Sequence, residues 1–292
     1  MSKILVFGKN GQVGWELQRS LSLAGSVVFL DRNDQGGNLC DVNALTARIK
    51  AEKPEIIFNA AAYTAVDAAE SDEKTAYLVN AEAVSAMAMA AKELGSLLVH
   101  YSTDYVFNGE GQKPWTESDR IAPINIYGLS KAAGESAVLE SGCKAYIFRT
   151  SWVYGVHGKN FMKTMIHLGK SREELGIVSD QIGAPTSAEF IADVSTWLAL
   201  HHKIERPEIV NLVPSGATSW YEFACDIFAN MKDHGLMVKK VKALSSAEYP
   251  TPARRPLNSR LDNSKLISMM SPNSIKDWRH YSKRVLGEIL AL

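Results

Sequence analysis

The chain has 292 residues, of which 46% are hydrophobic and 22% charged, as is usual for a soluble globular protein. Its 32 lysines and arginines balance 32 aspartates and glutamates, so the overall charge gives no sign of nucleic-acid or membrane-surface binding. Three distant cysteines, Cys40, Cys143 and Cys225, form no C-x-x-C pair, which argues against a disulfide framework or a zinc site. No signal peptide or membrane span is recognisable. We therefore expect a cytoplasmic protein that binds neither nucleic acid nor membranes.

Strand and helix patterns alternate through the first half of the chain. Short apolar runs predict buried strands at residues 4–7, 27–30, 56–58, 97–101 and 145–148. Helical spacing follows the first strand, and an alanine-rich helix is predicted from about Thr75 to Leu94 with Gly95 as its C-terminal cap. This alternation predicts an α/β fold with a Rossmann-type doubly wound parallel sheet in residues 1–150.

The second half of the chain is less regular. Short strands are predicted at 177–178 and 209–213, and Ser219 and Glu222 form a capping box before a helix with a core-facing stripe that includes Trp220. We expect residues 151–292 to form mainly a smaller C-terminal α/β substrate-binding domain. Segments between about 177 and 215 are candidates to return to the first domain.

A glycine-rich turn joins the first strand to the first helix. Gly8, Gly11 and Gly14 stand three residues apart, a spacing that lets the backbone approach a pyrophosphate at a helix N-terminus. Asp31 ends the second strand and can bind a ribose 2′-hydroxyl, which favours NADH. The adjacent Arg32 could instead accommodate the 2′-phosphate of NADPH. The turn therefore predicts a dinucleotide site with either cofactor.

Tyr127 and Lys131 lie four residues apart on a predicted helix, so that both side chains reach one site. The positive charge of the lysine is expected to lower the pKa of the tyrosine. The pair then predicts a phenol that exchanges protons near neutral pH.

Longer segments resemble the dTDP-4-dehydrorhamnose reductase family of the extended short-chain dehydrogenase/reductase superfamily. Besides the glycine turn and the Y-x-x-x-K pair, the matching segments cover residues 59–67, 101–107, 149–154, 180–186 and 252–256, in order. The resemblance implies reduction of a 4-keto sugar carried on dTDP, with NADPH or NADH, in the last step of dTDP-rhamnose synthesis. It also implies that Tyr127 donates the proton, that Lys131 holds the nicotinamide ribose and that Thr103 hydrogen-bonds the carbonyl.

The motifs and the resemblance together assign binding residues. Those for the cofactor are Gly8, Gly11, Gln12, Val13, Gly14, Asp31, Arg32, Asp41, Val42, Ala61, Ala62, Tyr63, Thr64, Tyr101 and Lys131. Those for the nucleotide sugar are Thr103, Asp104, Trp152, Arg254 and Arg255.

Several residues have a second interpretation. Arg254 and Arg255 could clamp a diphosphate or form salt bridges, and Trp152 could be a sugar platform or core. Glu16 and Glu189 could share a Mg²⁺ ion, as the resemblance suggests, or be surface charges. His100 is expected to be a packed histidine within a strand.

Two other functions stay open at the level of sequence. One is a different nucleotide-sugar enzyme on the same scaffold, such as a 4-epimerase. The other is a non-catalytic regulatory subunit like that of methionine adenosyltransferase, against which the presence of Thr103, Tyr127 and Lys131 argues. A homodimer is a further expectation.

Overall fold

The computed structural model of the protein describes residues 3–231, 234–271 and 273–292. The strands are β1 (Lys3–Phe7), β2 (Ser26–Leu30), β3 (Ile56–Asn59), β4 (Leu97–Thr103), β5 (Ala145–Thr150), β6 (Val153–Tyr154), β7 (Glu174–Val178), β8 (Ile182–Gly183), β9 (Thr186–Ser187), β10 (Glu208–Asn211), β11 (Thr218–Ser219), β12 (Lys240–Leu244) and β13 (Asn258–Ser259). The α-helices are α1 (Gln12–Ser20), α2 (Val42–Glu52), α3 (Val66–Ala69), α4 (Glu73–Tyr77), α5 (Ala83–Leu94), α6 (Ile126–Ser141), α7 (Phe161–Gly169), α8 (Ala188–His201), α9 (Trp220–Ala229), α10 (Ser264–Met269) and α11 (Trp278–Ala291). A π-helical turn (Leu78–Glu82) joins α4 to α5, and 3-10 turns occupy Asp104–Val106 and Ser246–Glu248.

Six parallel strands form the main sheet in the order β10-β5-β4-β3-β1-β2. The chain moves from β1 to β2 on one side and then returns to place β3 on the other side of β1. In doubly wound sheets such a reversal opens a crevice at the carboxyl ends of the strands, where ligands bind. The predicted Rossmann-type sheet is confirmed.

Helices cover both faces of this sheet. Alternate residues of β1 point to opposite sides, so Ile4 and Val6 pack in one buried cluster and Leu5 and Phe7 in another. Leu17 of α1 and Ile191 of α8 belong to the first cluster, while helices α2, α5 and α6 contribute to the second. Continuous apolar strands are the expected pattern for a sheet covered on both faces.

The second half of the chain contributes both to the main sheet and to a separate core. The predicted strands at 177–178 and 209–213 correspond to β7 and β10, and the predicted capping box at Ser219 and Glu222 is present. Within the segment from 177 to 215, α8 and β10 pack with the main sheet, whereas β7 pairs with β12. A separate core holds Phe223, Ile227 and Trp278. The domain boundary near residue 150 stays a prediction.

The alanine-rich helix differs from its prediction. Gly95 caps it at φ +71° as expected, but the π-helical turn interrupts the predicted continuous helix from Thr75 to Leu94. Asn80 within this turn is buried and forms side-chain hydrogen bonds outside the helix. Among the described residues, no helix combines the length and apolar character needed to cross a membrane.

Candidate active site

A cleft of about 1,100 Å³ opens at the carboxyl ends of β1, β3, β4 and β5. Most of the predicted site residues line it together: Gly8, Gly11, Gln12, Val13, Asp31, Arg32, Ala61, Ala62, Tyr63, Thr64, Tyr101, Thr103, Asp104, Tyr127, Lys131 and Trp152. The strand ends bring these distant segments to one edge of the sheet. One continuous cleft thus joins the glycine turn to the tyrosine–lysine pair.

Five predicted residues lie outside the cleft lining. Gly14 packs its backbone so closely against Gly8 that a side chain would collide with the Gly8 carbonyl. Asp41 is the N-cap of α2, where its side chain accepts a hydrogen bond from the Ala44 amide at 2.9 Å. In that segment Leu39 and Cys40 line the cleft in place of Asp41 and Val42. Arg254 and Arg255 are the remaining two predicted residues outside the cleft lining.

The glycine turn is shaped to receive an anion. Gly8 has φ +86°, and a Cβ atom there would lie 2.7 Å from the Ala61 amide nitrogen. Gly11 is the N-cap of α1, whose first turn carries no acidic residue. Gly11, Gln12 and Val13 at this end of α1 line the cleft. A helix N-terminus has N–H groups without intrahelical partners and the positive end of the helix dipole, as pyrophosphate binding requires.

Asp31 is already engaged by its neighbours. Its carboxylate accepts hydrogen bonds from Asn10 Nδ2 and from the Asn33 amide, both at 2.7 Å. Lys9 Nζ lies 3.5 Å from the Asp31 carboxylate and 2.7 Å from that of Asp34. The hydrogen bond that Lys9 donates to Asp34 raises the pKa of Lys9 and lowers that of Asp34. Lys9 and Asp34, which sequence reasoning did not single out, thus set the charge around the predicted ribose site.

Tyr127 and Lys131 lie in the first two turns of α6. Asn125 caps this helix by accepting a hydrogen bond from the Gly128 amide at 2.8 Å. The Lys131 ammonium donates to the Tyr101 carbonyl oxygen at 2.6 Å, and burial lowers its pKa to about 8.

The pKa of Tyr127 is not lowered as the sequence suggested. Burial raises it to about 12, and a hydrogen bond with Thr103 acts in the opposite direction. Desolvation of the phenolate is the largest effect, and the Asp104 charge adds to it. A Thr103 hydroxyl that donates to the phenolate would thus supply acidity that sequence reasoning assigned to the lysine.

His100 is a fully buried strand residue, as predicted, with contacts on both ring nitrogens. Nδ1 lies 3.2 Å from Asn59 Nδ2, and Nε2 lies 3.4 Å from Lys131 Nζ. Burial and the nearby Lys131 charge hold the pKa of His100 well below its usual value, so its ring is neutral. The histidine packs directly behind the predicted catalytic lysine.

Asp104 is a buried carboxyl group on the wall of the cleft. Its Oδ1 accepts a hydrogen bond from Thr103 Oγ1 at 3.0 Å, and Ser259 also hydrogen-bonds the side chain. Its Oδ2 has no partner among the described residues. Because burial penalises the charged form, the pKa of Asp104 is raised to about 7.

Trp152 lies on the cleft wall in a strained conformation. Its φ is +50°, in the left-handed region that side chains other than glycine rarely adopt. Its indole stacks on that of Trp220 with ring centroids 3.7 Å apart. Trp220, predicted to face the core, also lines the cleft. Such strain is found where surrounding contacts over-determine a functional position.

The two predicted arginines differ in environment. Arg254 is exposed, whereas Arg255 pairs with Asp67 at 2.7 Å and hydrogen-bonds the side chain of Tyr105. The Tyr105 ring in turn meets the Tyr127 ring edge-on at 5.6 Å. Arg255 therefore forms a salt bridge, and it contacts the cleft through a tyrosine that lines it.

Asn80 supports the cleft from behind, and sequence reasoning missed it. Its side chain accepts from the Tyr63 amide at 2.9 Å and donates to the Tyr63 carbonyl at 3.0 Å. It also donates to Ser130 Oγ at 3.0 Å, and so links the cofactor wall to α6. The sequence did offer a signal for this role, because Asn80 is a polar residue within an alanine-rich helical segment.

Glu16 and Glu189 do not form a metal site. Arg19 lies 3.3 Å from the Glu16 carboxylate and 3.7 Å from that of Glu189, which Arg284 also contacts at 2.6 Å. Within the described parts of the chain, no three acidic, histidine or cysteine side chains are grouped to hold a metal ion. These carboxylates are paired with guanidinium groups, so the donor set does not fit Mg²⁺.

Comparison with known proteins identifies the family. The family model described as the RmlD substrate binding domain matches residues 2–290. The dTDP-4-dehydrorhamnose reductase of Escherichia coli (strain K12) is 46% identical over 98% of this chain and 97% of its own length.

Solved structures support the same family assignment. That of a dTDP-4-dehydrorhamnose reductase from Clostridium acetobutylicum has a TM-score of 0.91 at 37% identity, covering 99% of this chain and 100% of that one. The Bacillus anthracis reductase in complex with NADP has a TM-score of 0.90 at 35% identity, covering 98% and 99%. The chain belongs to the RmlD family, the family of the dTDP-4-dehydrorhamnose reductases.

Proposed function

We propose that this protein reduces the 4-keto group of dTDP-4-dehydro-β-L-rhamnose to give dTDP-L-rhamnose, with NADPH or NADH as hydride donor. One observation carries the proposal. A single cleft holds the anion-binding glycine turn, the Tyr127–Lys131 pair and Thr103, in a chain whose relatives are named for this reaction.

The bound dinucleotide would supply the hydride to C4 of the sugar. Tyr127 transfers its hydroxyl proton to the C4 oxygen as the ketone becomes an alcohol, and Thr103 hydrogen-bonds that oxygen. Proton donation by a positioned acid contributes ~10²–10⁴ in rate. Lys131 holds the ribose next to the nicotinamide, and its ammonium opposes the cost of forming the phenolate.

We assign the wall near Tyr127 to the nucleotide sugar. Trp152, backed by Trp220, offers a flat face to the sugar ring, and Asp104 offers a carboxyl group to its hydroxyls. Two arginines are suited to the diphosphate. Arg254 is exposed, and Arg255 has one guanidinium nitrogen without a partner among the described residues.

The cofactor end supports both dinucleotides. Arg32 lines the cleft beside Asp31, and Lys9 offsets the negative charge of the two nearby aspartates. A 2′-phosphate would therefore meet less repulsion than Asp31 alone would produce, while Asp31 stays close enough for a ribose hydroxyl.

The test follows NADPH oxidation at 340 nm with dTDP-4-dehydro-L-rhamnose. Wild-type protein should consume NADPH, and Tyr127→Phe should lower kcat by about 10²-fold or more while NADPH still binds. If wild type oxidises no NADPH with any 4-keto nucleotide sugar, the reductase proposal is wrong. If Tyr127→Phe keeps nearly full activity, another group donates the proton.

The same assay decides between the alternatives. A 4-epimerase would retain NAD between cycles and interconvert two sugars without net NADPH use. A regulatory subunit would bind the dinucleotide and catalyse neither reaction. The cytoplasmic location and the homodimer stay predictions, and light scattering of the purified protein tests the second.

A further inference from the structure

We propose that Asp104 is a proton switch for Thr103 and Tyr127: the protonated carboxyl group releases the Thr103 hydroxyl proton to serve the reaction, and the carboxylate withholds it. This inference rests on the proposed reductase function. It assigns Asp104 a part in the chemistry beyond contact with the sugar.

The hydrogen bonds of Thr103 limit what its hydroxyl can do. A threonine hydroxyl has one proton to donate and two lone pairs to accept with. Thr103 Oγ1 accepts from the Tyr105 amide at 3.2 Å, donates to Asp104 Oδ1 at 3.0 Å and hydrogen-bonds Tyr127. Its proton is already given to Asp104, so the Tyr127 hydroxyl must be the donor in its bond to Thr103.

This arrangement opposes catalysis. With its proton held by the carboxylate, Thr103 can donate neither to the C4 oxygen nor to the phenolate that forms on Tyr127. The carboxylate charge also raises the pKa of Tyr127. Ionised Asp104 therefore makes Tyr127 a weaker acid in two ways.

Protonation reverses both effects. The Asp104 carboxyl group then donates to Thr103 Oγ1, and the Thr103 hydroxyl proton turns to the substrate oxygen or to Tyr127 Oη. When Tyr127 passes its proton to the C4 oxygen, the Thr103 donor stabilises the phenolate. Asp104 keeps its own proton throughout, so the switch adds no covalent step and requires no further reactant.

The surroundings of Asp104 favour the neutral form. Its side chain is 2% exposed, and its Oδ2 has no partner among the described residues. The titratable groups interacting with it are the phenols of Tyr127 and Tyr105, and Ser259 offers a hydroxyl. Arg255, the cation that interacts with Tyr105, is paired with Asp67.

The decisive variant is Asp104→Asn, because the amide donates to Thr103 at every pH. With saturating NADPH, kcat/KM of wild type for the sugar should fall about tenfold per pH unit above a midpoint near pH 7. Asp104→Asn should lack that alkaline limb, whatever the absolute rate of the variant. A raised KM with an unchanged alkaline limb would mean that Asp104 only contacts the sugar, and would overturn the switch.

A second measurement needs no activity. The side-chain carboxyl carbon of Asp104, followed by NMR in free wild-type protein and assigned with the Asn variant, should titrate between about pH 6 and 8. Titration below pH 5 overturns the switch, even if the reductase function holds. Asp193→Asn, the same change at a half-exposed position, is the matched control and should keep the wild-type pH profile. Absence of all reductase activity in wild type would contradict the proposed function, and the titration would still decide the state of Asp104.

Discussion

Lys131 Nζ lies 3.4 Å from His100 Nε2, on the side of the lysine that faces the core. Asn59 determines which nitrogen of His100 carries the proton. Asn59 Oδ1 accepts from the Ala61 amide at 3.3 Å, and this orientation leaves Nδ2 to donate to His100 Nδ1. The imidazole proton then lies on Nε2, and because the Lys131 ammonium also only donates, the 3.4 Å contact is packing and not a hydrogen bond. The neutral ring supports the lysine from behind without neutralising its charge.

Replacing His100 should therefore weaken the lysine's action. In His100→Leu, the flat ring that packs behind Lys131 is replaced by a differently shaped side chain, and we expect kcat/KM to fall about tenfold through loss of positioning. His100→Gln keeps a polar side chain that can accept from Asn59 Nδ2 and should lie nearer to wild type. Steady-state kinetics and NADPH titration measure both variants. Equal activity of His100→Leu and wild type at equal thermal stability would contradict the positioning role.

Asn80 offers a test of the cofactor wall. In Asn80→Ala the Tyr63 amide and carbonyl lose their partners, so we expect a loss of about 1–3 kcal/mol in the free energy of unfolding. Because Tyr63 lines the cleft, the Kd for NADPH should also rise. Denaturant unfolding and fluorescence titration measure the two effects. Ala86→Ser, at a half-buried position of α5, is a control for a small polar change in the helix that follows the π-helical turn. An unchanged NADPH affinity in Asn80→Ala would separate Asn80 from cofactor binding.

Features that depend on local spacing were predictable from the sequence. Tyr127 and Lys131 share one side of α6 because four residues make about one turn, and the glycine turn follows β1 directly. The contact of His100 with Lys131 and the stack of Trp220 on Trp152 join residues 31 and 68 positions apart. Neither contact leaves a local pattern, so both required the assembled sheet.

The predicted sign of the Tyr127 pKa shift was wrong for the same reason. Sequence reasoning counted the charge of Lys131 but could not count burial, which depends on every element packed around the phenol. The interruption of the alanine-rich helix is comparable, because Asn80 departs from α-helical geometry to reach partners on other segments.

The buried pair of Glu135 and Arg149 should dominate stability near the site. Arg149 donates from Nε to Glu135 Oε1 at 3.0 Å and from Nη2 to Oε2 at 2.6 Å, and both side chains are at most 3% exposed. Glu135→Gln should cost about 3–5 kcal/mol in unfolding free energy, because it leaves a buried guanidinium without its countercharge. Glu93→Gln, which breaks the exposed pair with Lys50, should cost less than about 1 kcal/mol. Similar losses in both variants by denaturant unfolding would contradict this account.

Lys9 should influence cofactor preference. In Lys9→Met the carboxylates of Asp31 and Asp34 lose their cation, so we expect the KM for NADPH to rise about tenfold and that for NADH to change little. The difference should shrink at high salt, since these groups are accessible to solvent. Lys50→Met removes a lysine on α2 that pairs with Glu93, and serves as the control. A parallel rise in both KM values would show that Lys9 does not distinguish the 2′-phosphate.

Asp104 should also make stability depend on pH. Its pKa is about 7 in the folded protein and ~3.9 when unfolded, so the folded state binds more protons between these values. Stability from this group is therefore fully present below pH 4 and is lost as pH rises towards 7. Between pH 5 and pH 8 the loss is about 2–3 kcal/mol at ~1.36 kcal/mol per pKa unit. Asp104→Asn has no group that titrates at this position and therefore lacks this loss. The unfolding free energy of the variant relative to wild type should thus increase by about 2–3 kcal/mol from pH 5 to pH 8. Denaturant unfolding at both pH values measures the change, and a constant difference between the two proteins would show that Asp104 is ionised throughout.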